Sequence, residues 1–339
     1  MKTYIFIPPT KGSTGGIAVL FQVGKALNGG EYEAVFVLRE RSAWIEKALE
    51  DQPYVMWDDA EPTPEDIWLI PEGWVNALSK GLNSGARCIN YVQNWAYLHS
   101  ALPEGVQWNT LPVSFVGVSE PVSRFVQEAL RLEEMPPVLR PGIDLKRFSA
   151  PDRVQSSGKI KIAYMPRKNK ALALQIKAIF EARNPDLPVR FVEIENMTPD
   201  QVAATLKSSQ IFLVTGFPEG CPLPPLEAMA SGCVPVGFAG YGGWDYMRHP
   251  KGQGRQPNYA PWFSLREDIS WEGNGLWCAD GDVLDCALQL EEAVNWFVQA
   301  QSGTVPVALA DILQNVQKTA QAYSEEVQIA DILGLWGIF

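Results

Sequence analysis

One stretch, Ile211 to Gly237, constrains the fold of this chain more than any other. An apolar run, Ile211 to Val214, is typical of a buried strand. A loop rich in glycine and proline follows it, and Pro224 and Pro225 mark the beginning of a helix, where proline costs least. A second apolar run starts at Val234. The pattern predicts a strand–loop–helix–strand unit within an open parallel sheet.

Two glutamates in this unit are candidate ligand-binding residues. Glu219 lies in the loop and Glu227 in the first turn of the predicted helix, with seven residues between them. Ligands of parallel sheets bind at the carboxyl ends of the strands, where such loops emerge, so we expect both carboxylates to face one crevice. The alternative is that both are solvated, since acids also suit a helix N-terminus.

The residues around the two glutamates carry a resemblance. The segment E-G-C-P-L-P-P-L-E-A-M-A-S-G-C-V-P-V resembles the E-x7-E segment of retaining glycosyltransferases with the GT-B fold, of the group 1 or family 4 type. The resemblance implies an α/β chain with two Rossmann-like doubly wound domains facing a central cleft, and a C-terminal helix crossing back to the first domain. It also implies transfer of a sugar, with retention, from a nucleotide-diphosphate donor to an acceptor hydroxyl of a glycan, glycolipid or small molecule.

The rest of the chain is consistent with two doubly wound domains. Short apolar runs alternate with helical patterns along its length, which favours a parallel sheet. The strands are predicted at 4–7, 34–38, 67–70, 88–92, 113–118, 160–165, 189–194, 211–214 and 234–236. We place the first domain at 1–148, a polar linker at 149–159, the nucleotide-sugar domain at 160–320 and the returning helix at 321–339.

The resemblance assigns donor-side roles to several residues. Glu219 would orient the donor sugar as a catalytic residue, together with Arg167 and Lys170, two cations after the strand at 160–165 that would bind the diphosphate. Further donor-binding roles fall to Gly15 and Gly16, Glu227 for the ribose, Met197 near the base, and Gly242 and Gly243. Taken from the residues alone, the glycine pair is equally a tight turn and the cations a solvated basic turn.

Polar residues at strand ends of the first domain are candidates for the acceptor side. They are Glu72, Asn94 and His99. Relatives place a histidine or another polar group here, near the reacting sugar. The alternative for His99 is a packed or surface histidine.

Composition excludes several other classes. The formal net charge of −11 argues against a nucleic-acid binder and leaves at most peripheral membrane contact. Five cysteines without a C-x-x-C pair indicate reduced thiols, and the first residues lack a signal-peptide pattern, so we expect a cytoplasmic protein, with the inner membrane face as a second location. The oligomeric state is left open.

We expect no metal and no cofactor. Two histidines are too few for a histidine-rich metal site, and Asp280-Gly281-Asp282 matches a turn before a helix better than a D-x-D metal motif. The alternatives to transfer are a non-catalytic nucleotide- or sugar-binding module on the same scaffold and a GT-B nucleotide-sugar epimerase. Turnover of a nucleotide sugar would distinguish an enzyme from the non-catalytic module. Formation of a product from the donor alone would identify an epimerase.

Overall fold

The chain forms two compact units in the computed structural model, which describes residues 1–12, 14–100, 102–151, 158–252, 254–257 and 259–339. The first unit is Met1–Gly142 together with Glu326–Phe339, and the second is Ile143–Glu325. Of the predicted linker at 149–159, residues 152–157 lie outside the described part. Each unit has its own parallel sheet.

The first unit is built on a six-stranded parallel sheet with the order β3-β2-β1-β4-β5-β6. All five predicted strands of this half are present, and β3 was missed because its three residues are half-buried and carry no long apolar run. The strands are β1 (Lys2–Ile7), β2 (Glu33–Leu38), β3 (Tyr54–Met56), β4 (Ile67–Pro71), β5 (Arg87–Val92) and β6 (Val113–Gly117).

Helices cover both faces of this sheet, as a doubly wound fold requires. Ser119 caps one of them, because its side chain accepts a hydrogen bond from the backbone N–H of Val122 at 3.4 Å. Apart from its C-terminal helix, the first unit contains α1 (Gly15–Gly29), α2 (Ala43–Ala48), α3 (Leu78–Ser84) and α4 (Glu120–Leu130). A 3-10 turn at Val75–Ala77 leads directly into α3.

The second unit is built on a five-stranded parallel sheet with the order β11-β10-β9-β7-β8. Its strands are β7 (Ile160–Tyr164), β8 (Val189–Glu193), β9 (Ile211–Val214), β10 (Val234–Phe238) and β11 (Leu276–Cys278). The predicted strand–loop–helix–strand unit that carries Glu219 and Glu227 is thus observed, with β9 and β10 paired in parallel. The sequence did not predict β11, whose three residues follow a long irregular segment.

The helices of the second unit pack on both faces of its sheet. They are α5 (Lys170–Arg183), α6 (Pro199–Lys207), α7 (Leu223–Ala230), α8 (Val283–Gln301) and α9 (Val307–Ala322). The α6 N-terminus has a capping box, in which the side chains of Thr198 and Gln201 each bind the other's backbone N–H. Its core is one cluster that includes Phe212, Met229 and Trp277.

The last helix, α10 (Glu325–Trp336), belongs to the first unit from Glu326 onward. Trp336 is buried there, and its indole N–H donates to the Thr3 hydroxyl at 2.9 Å. A buried indole needs such a partner, so this bond fixes the helix against β1.

The units divide at Gly142 and Ile143, whereas the sequence placed the end of the first domain at 148. The backbone explains the difference. Ile143 donates its N–H to the carbonyl of Tyr323 at 2.8 Å and accepts from Glu325 N–H at 3.2 Å. Phe148 is buried in the core of the second unit. The segment 321–325, predicted to go with the last helix, therefore also belongs to the second unit.

The described residues contain no helix that is both long enough and apolar enough to cross a bilayer.

The irregular segment before β11 is anchored by Arg248 and His249. The Arg248 guanidinium donates to three backbone carbonyls, including that of Arg266 at 2.9 Å. His249 is half-buried, and its Nδ1 accepts the N–H of Trp277, in β11, at 3.1 Å. Burial lowers the pKa of His249 from its usual 6.5 to about 4, so the imidazole is neutral at pH 7.

This histidine predicts a pH-dependent contribution to stability. A pKa that is lower in the folded state means that the unfolded chain binds the proton first, so the contribution is complete above about pH 6.5 and is lost as the pH falls toward 4. The difference in unfolding free energy between the wild type and His249→Gln, measured with urea, should therefore shrink over that range. A difference that stays constant from pH 7 to pH 4 would contradict the assignment.

Candidate functional site

A cavity of about 350 Å³ lies at the carboxyl edge of the second sheet. The loops that follow β7, β8 and β9 form it, which is the place where ligands bind in parallel sheets. Charged and apolar side chains line it together. The lining residues are Met165, Arg167, Lys168, Ile194, Glu195, Asn196, Met197, Val202, Phe212, Leu213, Val214, Thr215, Gly216, Glu219, Pro222, Pro224 and Pro225.

The basic turn after β7, residues 166–169, supplies two cations to this cavity. Arg167 is exposed and forms no ion pair with any residue that the structure describes. The ammonium of Lys168 lies 2.8 Å from Oε1 of Glu219. Lys170, the predicted second cation, is instead in the first turn of α5, 3.2 Å from Glu193, and does not line the cavity. The geometry favours Lys168 over Lys170 as the lysine of this site.

Asn169 holds the basic turn against the loop after β9. It adopts a left-handed backbone conformation with φ of 57°, which asparagine tolerates better than most residues. Its Nδ2 donates to the carbonyls of Thr215 and Phe217, each at 2.9 Å. The two cavity walls that carry Lys168 and Glu219 are thereby fixed to each other.

The backbone of Glu219 is clamped by the glycine loop, Gly240–Gly243. Glu219 donates its N–H to the carbonyl of Gly240 at 2.9 Å and accepts the N–H of Gly242 at 3.0 Å. This is a short parallel bridge, with Tyr241 opposite Glu219. Because both backbone groups of Glu219 are paired, the backbone position from which its side chain extends is fixed.

Close packing explains why glycines surround Glu219. A Cβ on Gly242 would lie 1.8 Å from the carbonyl oxygen of Gly220, which no real structure tolerates. A Cβ on Gly240, whose φ is 65°, would lie 2.8 Å from the Cβ of Glu219. A Cβ on Gly216 would meet the Glu219 carboxylate at 2.7 Å. These positions need glycine so that the carboxylate can occupy its place.

The two aspartates of the D-G-D motif both bind backbone groups. Asp280 accepts the N–H of Gly240 at 2.8 Å and so supports the glycine loop. Burial raises the pKa of Asp280 to about 6, partly offset by the hydrogen bonds from Gly240 and Tyr241. Asp282 caps α8 by accepting the N–H of Asp285 at 2.9 Å. Sequence reasoning had no signal that Asp280 supports Glu219 through the loop.

Comparison with known proteins adds one partial sequence relative. No family model matches the chain. It is 27% identical over 194 residues to an alpha-1,6-glucosyltransferase of Actinobacillus pleuropneumoniae serotype 7. The match spans 55% of this chain and only 57% of that relative.

Solved structures match over the whole length. HepE from Anabaena, solved with UDP and glucose, superposes with a TM-score of 0.68 at 12% identity, and both chains are covered completely. The lipopolysaccharide outer core galactosyltransferase WaaB, in its apo form, gives a TM-score of 0.63 at 12% identity, again with complete coverage of both. The chain has the GT-B fold.

Glu227, the second glutamate of the E-x7-E segment, does not lie in the first turn of its helix as the sequence predicted. Helix α7 begins at Leu223, so Glu227 lies in its second turn, and the first turn carries no acid. Glu227 is half-buried and is not among the residues that line the cavity. Loss of hydration raises its pKa to about 7, and the positive charge of Arg147 opposes that rise.

The remaining donor-side residues of the second unit are close to the same cavity. Met197 lines it, with Ile194 and Val202 beside it. Gly243 follows the clamp residue Gly242 in a 3-10 turn, and its missing Cβ leaves room for the sulfur of Met247. Arg167, Met197 and Glu219 are thus the predicted residues that the cavity brings together.

The predicted site residues of the first unit lie at the carboxyl edge of the first unit's sheet. Gly15 and Gly16 form the first turn of α1, and Gln93, after β5, donates to the carbonyl of Gly16 at 2.9 Å. Glu72 follows β4, and its Oε2 accepts the N–H of Gln93 at 2.8 Å. Burial raises the pKa of Glu72 to about 7 despite hydrogen bonds from the N–H groups of Gln93 and Asn94.

Asn94 and His99 differ in their environments. Asn94 is buried and caps a 3-10 turn, since its Oδ1 accepts the N–H of Ala96 at 3.0 Å. His99 is exposed. The geometry gives Asn94 a local structural role and leaves the acceptor assignment of both residues a prediction.

The glycine clamp predicts a specific cost for one substitution. Gly242→Ala should destabilise the protein by about 1–3 kcal/mol, because the added methyl group collides with backbone that cannot yield. Gly29→Ala, at the end of α1 with nothing within 4 Å of the added Cβ, is the matched control and should change stability by less than about 1 kcal/mol. Urea unfolding of both variants measures this. Equal stability of the two would refute the clamp.

Proposed function

We propose that this protein is a retaining glycosyltransferase that moves a hexosyl group from a nucleotide-diphosphate sugar to an acceptor hydroxyl. The observation that carries the proposal is the convergence of Arg167, Lys168 and Glu219 on one cavity at the carboxyl edge of the second sheet. The GT-B fold supports it. The partial likeness to an alpha-1,6-glucosyltransferase supports it independently.

The reaction breaks the bond between the anomeric carbon and the diphosphate oxygen, and the electron pair stays on the diphosphate. Cations aimed at that growing charge are the main source of rate. Arg167 matches phosphate oxygens as a fork, and Lys168 supplies a compact point charge. These two cations would do the work that a metal ion does in other transferases, so we propose that the enzyme needs none.

Glu219 is proposed to orient the donor sugar. Its carboxylate pairs with Lys168 at 2.8 Å, and when the diphosphate takes over that ammonium the carboxylate becomes available for sugar hydroxyls. Hydrogen bonds from hydroxyls to a charged carboxylate are among the stronger ones in proteins. Glu219 would then fix the anomeric carbon against the acceptor oxygen, whose proton passes to the departing diphosphate.

The nucleoside is proposed to lie over β7 and β8. The side chains of Ile194, Met197 and Val202 come from the β8–α6 region, and the sheet order β9-β7-β8 puts them on the far side of β7 from Glu219. A flat base suits this apolar part of the cavity, and the diphosphate then extends toward the basic turn. Glu227 stays a candidate for the ribose hydroxyls, and Gly15 and Gly16 for the diphosphate.

UDP-glucose is the first donor to test. HepE was solved with UDP and glucose, and the partial relative is an alpha-1,6-glucosyltransferase. UDP-glucose carries its sugar in the α configuration, so an α-linked product would correspond to retention. The acceptor is proposed to be a glycan, a glycolipid or a small molecule, and the site of action to be the cytoplasm or the inner membrane face.

The decisive assay measures release of UDP from UDP-glucose, with and without acceptors, in the presence of excess EDTA. We expect turnover in the wild type and a loss of about 100-fold or more in Glu219→Gln, with the fold intact. Activity restored only by added metal would overturn the metal-free mechanism. Binding without turnover of any nucleotide sugar would point to the non-catalytic module, and a new sugar nucleotide from donor alone would point to an epimerase.

The lysine assignment predicts a contrast between neighbours. Lys168→Met should weaken UDP binding by about 10-fold or more, because it removes a charge from the cavity. Lys170→Met removes the same charge from a lysine that is paired with Glu193 outside the cavity, and should change the affinity by less than about 3-fold. Calorimetric titration with UDP measures both. The reverse order of effects would return the role to Lys170.

A further inference from the structure

An arginine of the first unit has an environment that none of the roles above explains. Arg39 directly follows β2 at the carboxyl edge of the sheet. Its guanidinium carbon lies 4.5 Å from the ring centroid of Trp57 and 5.2 Å from that of Phe6. Trp57 follows β3, and Phe6 is in β1. Three neighbouring strands therefore build this position.

Arg39 has no acidic partner among the residues that the structure describes. The chain carries 39 acids against 28 lysines and arginines, and several of its cations are paired with a carboxylate. Arg183, Arg255 and Arg266 each form such a pair. Arg39 is half-buried and has only the two aromatic rings as described partners. Its N–H donors therefore have no acceptor among the described residues, and water or a ligand is left to accept them.

The aromatic rings fix the guanidinium without using its hydrogen bonds. Stacking on a ring engages the face of the cation and leaves the N–H edge available. Lys80 lies near the same ring, with its ammonium 5.7 Å from the Trp57 centroid, but it donates to the carbonyls of Trp57 and Asp58. Lys80 therefore adds positive charge to the position, and Arg39 is the donor that stays open to a ligand.

A guanidinium held in this way is suited to bind an oxyanion. Its planar fork pairs with the two oxygens of a carboxylate or a phosphate, and a fixed fork loses less entropy on binding than a mobile one. Arg39 lies at the carboxyl edge of the sheet, the edge at which parallel sheets bind ligands, and it is one strand away from β1, where the strand order reverses. The donor cavity lies in the second unit, and Gly15 and Gly16, the candidates of the first unit for the donor diphosphate, follow β1 and not β2.

We propose that Arg39 binds an anionic group of the acceptor, either a phosphate or a carboxylate, and that Trp57 packs against the acceptor's neighbouring atoms. Acceptors of this class are sugars or polyols that carry a phosphate, and uronic acids. That this ligand is the acceptor rests on the proposed transferase function, whereas the binding of an anion at Arg39 does not.

The test measures binding of small probes to the full chain saturated with UDP, by ligand-observed NMR. Glycerol 3-phosphate is compared with glycerol, and glucuronate with glucose. We expect binding of at least one anionic probe and of neither neutral one. Arg39→Gln should weaken that binding about 10-fold. Arg41→Gln, which makes the same charge change on an exposed arginine two residues away, should leave it unchanged.

Each outcome decides the proposal. Binding of glycerol 3-phosphate alone identifies a phosphate-bearing acceptor, and binding of glucuronate alone identifies a uronic acid. If Arg39→Gln does not fold, Arg39→Lys keeps the charge without the fork, and unchanged binding in that variant overturns the role of the fork. Equal effects of the Arg39 and Arg41 substitutions, or equal binding of charged and neutral probes, also overturn it. Failure of the wild type to bind UDP would count against the donor site alone.

Discussion

The backbone clamp on Glu219 is the interaction on which the candidate site depends. Glu219 exchanges hydrogen bonds with Gly240 and Gly242, so the loop after β9 is held against the loop after β10. Asp280 supports the second loop from behind, and Asn169 ties the first loop to the basic turn. Three consecutive strands of the sheet order thereby fix one carboxylate. The ion pair of Glu219 with Lys168 is a consequence of this arrangement.

Much of the fold could be predicted because its signals are local. The apolar run Ile211–Val214 became β9 with the same bounds. This run lies between Gln210 and the Thr215-Gly216 turn, so both of its ends are visible in the sequence. The three-residue strands β3 and β11 were missed because short, irregular segments pair through their neighbours in space.

The site residues could be predicted only where their place at the end of a strand determines the edge of the sheet at which they lie. Strand ends put Arg167 and Glu219 at one edge of the sheet, as expected. The choice between Lys168 and Lys170 depends on the left-handed turn at Asn169, which rotates successive side chains away from each other and leaves no periodic pattern. Glu227 lies in the second turn of α7 and not in the first, because α7 begins at Leu223, before the two prolines that were predicted to start it. Such details follow from tertiary hydrogen bonds, which spacing does not encode.

A crystal structure of the protein with bound UDP tests the central claim most directly. The account predicts the diphosphate within hydrogen-bond distance of Arg167 and of the Lys168 ammonium, with the base near Met197 and with the carboxylate of Glu219 released from its ion pair. A diphosphate bound elsewhere, with Lys168 still paired to Glu219, would contradict it.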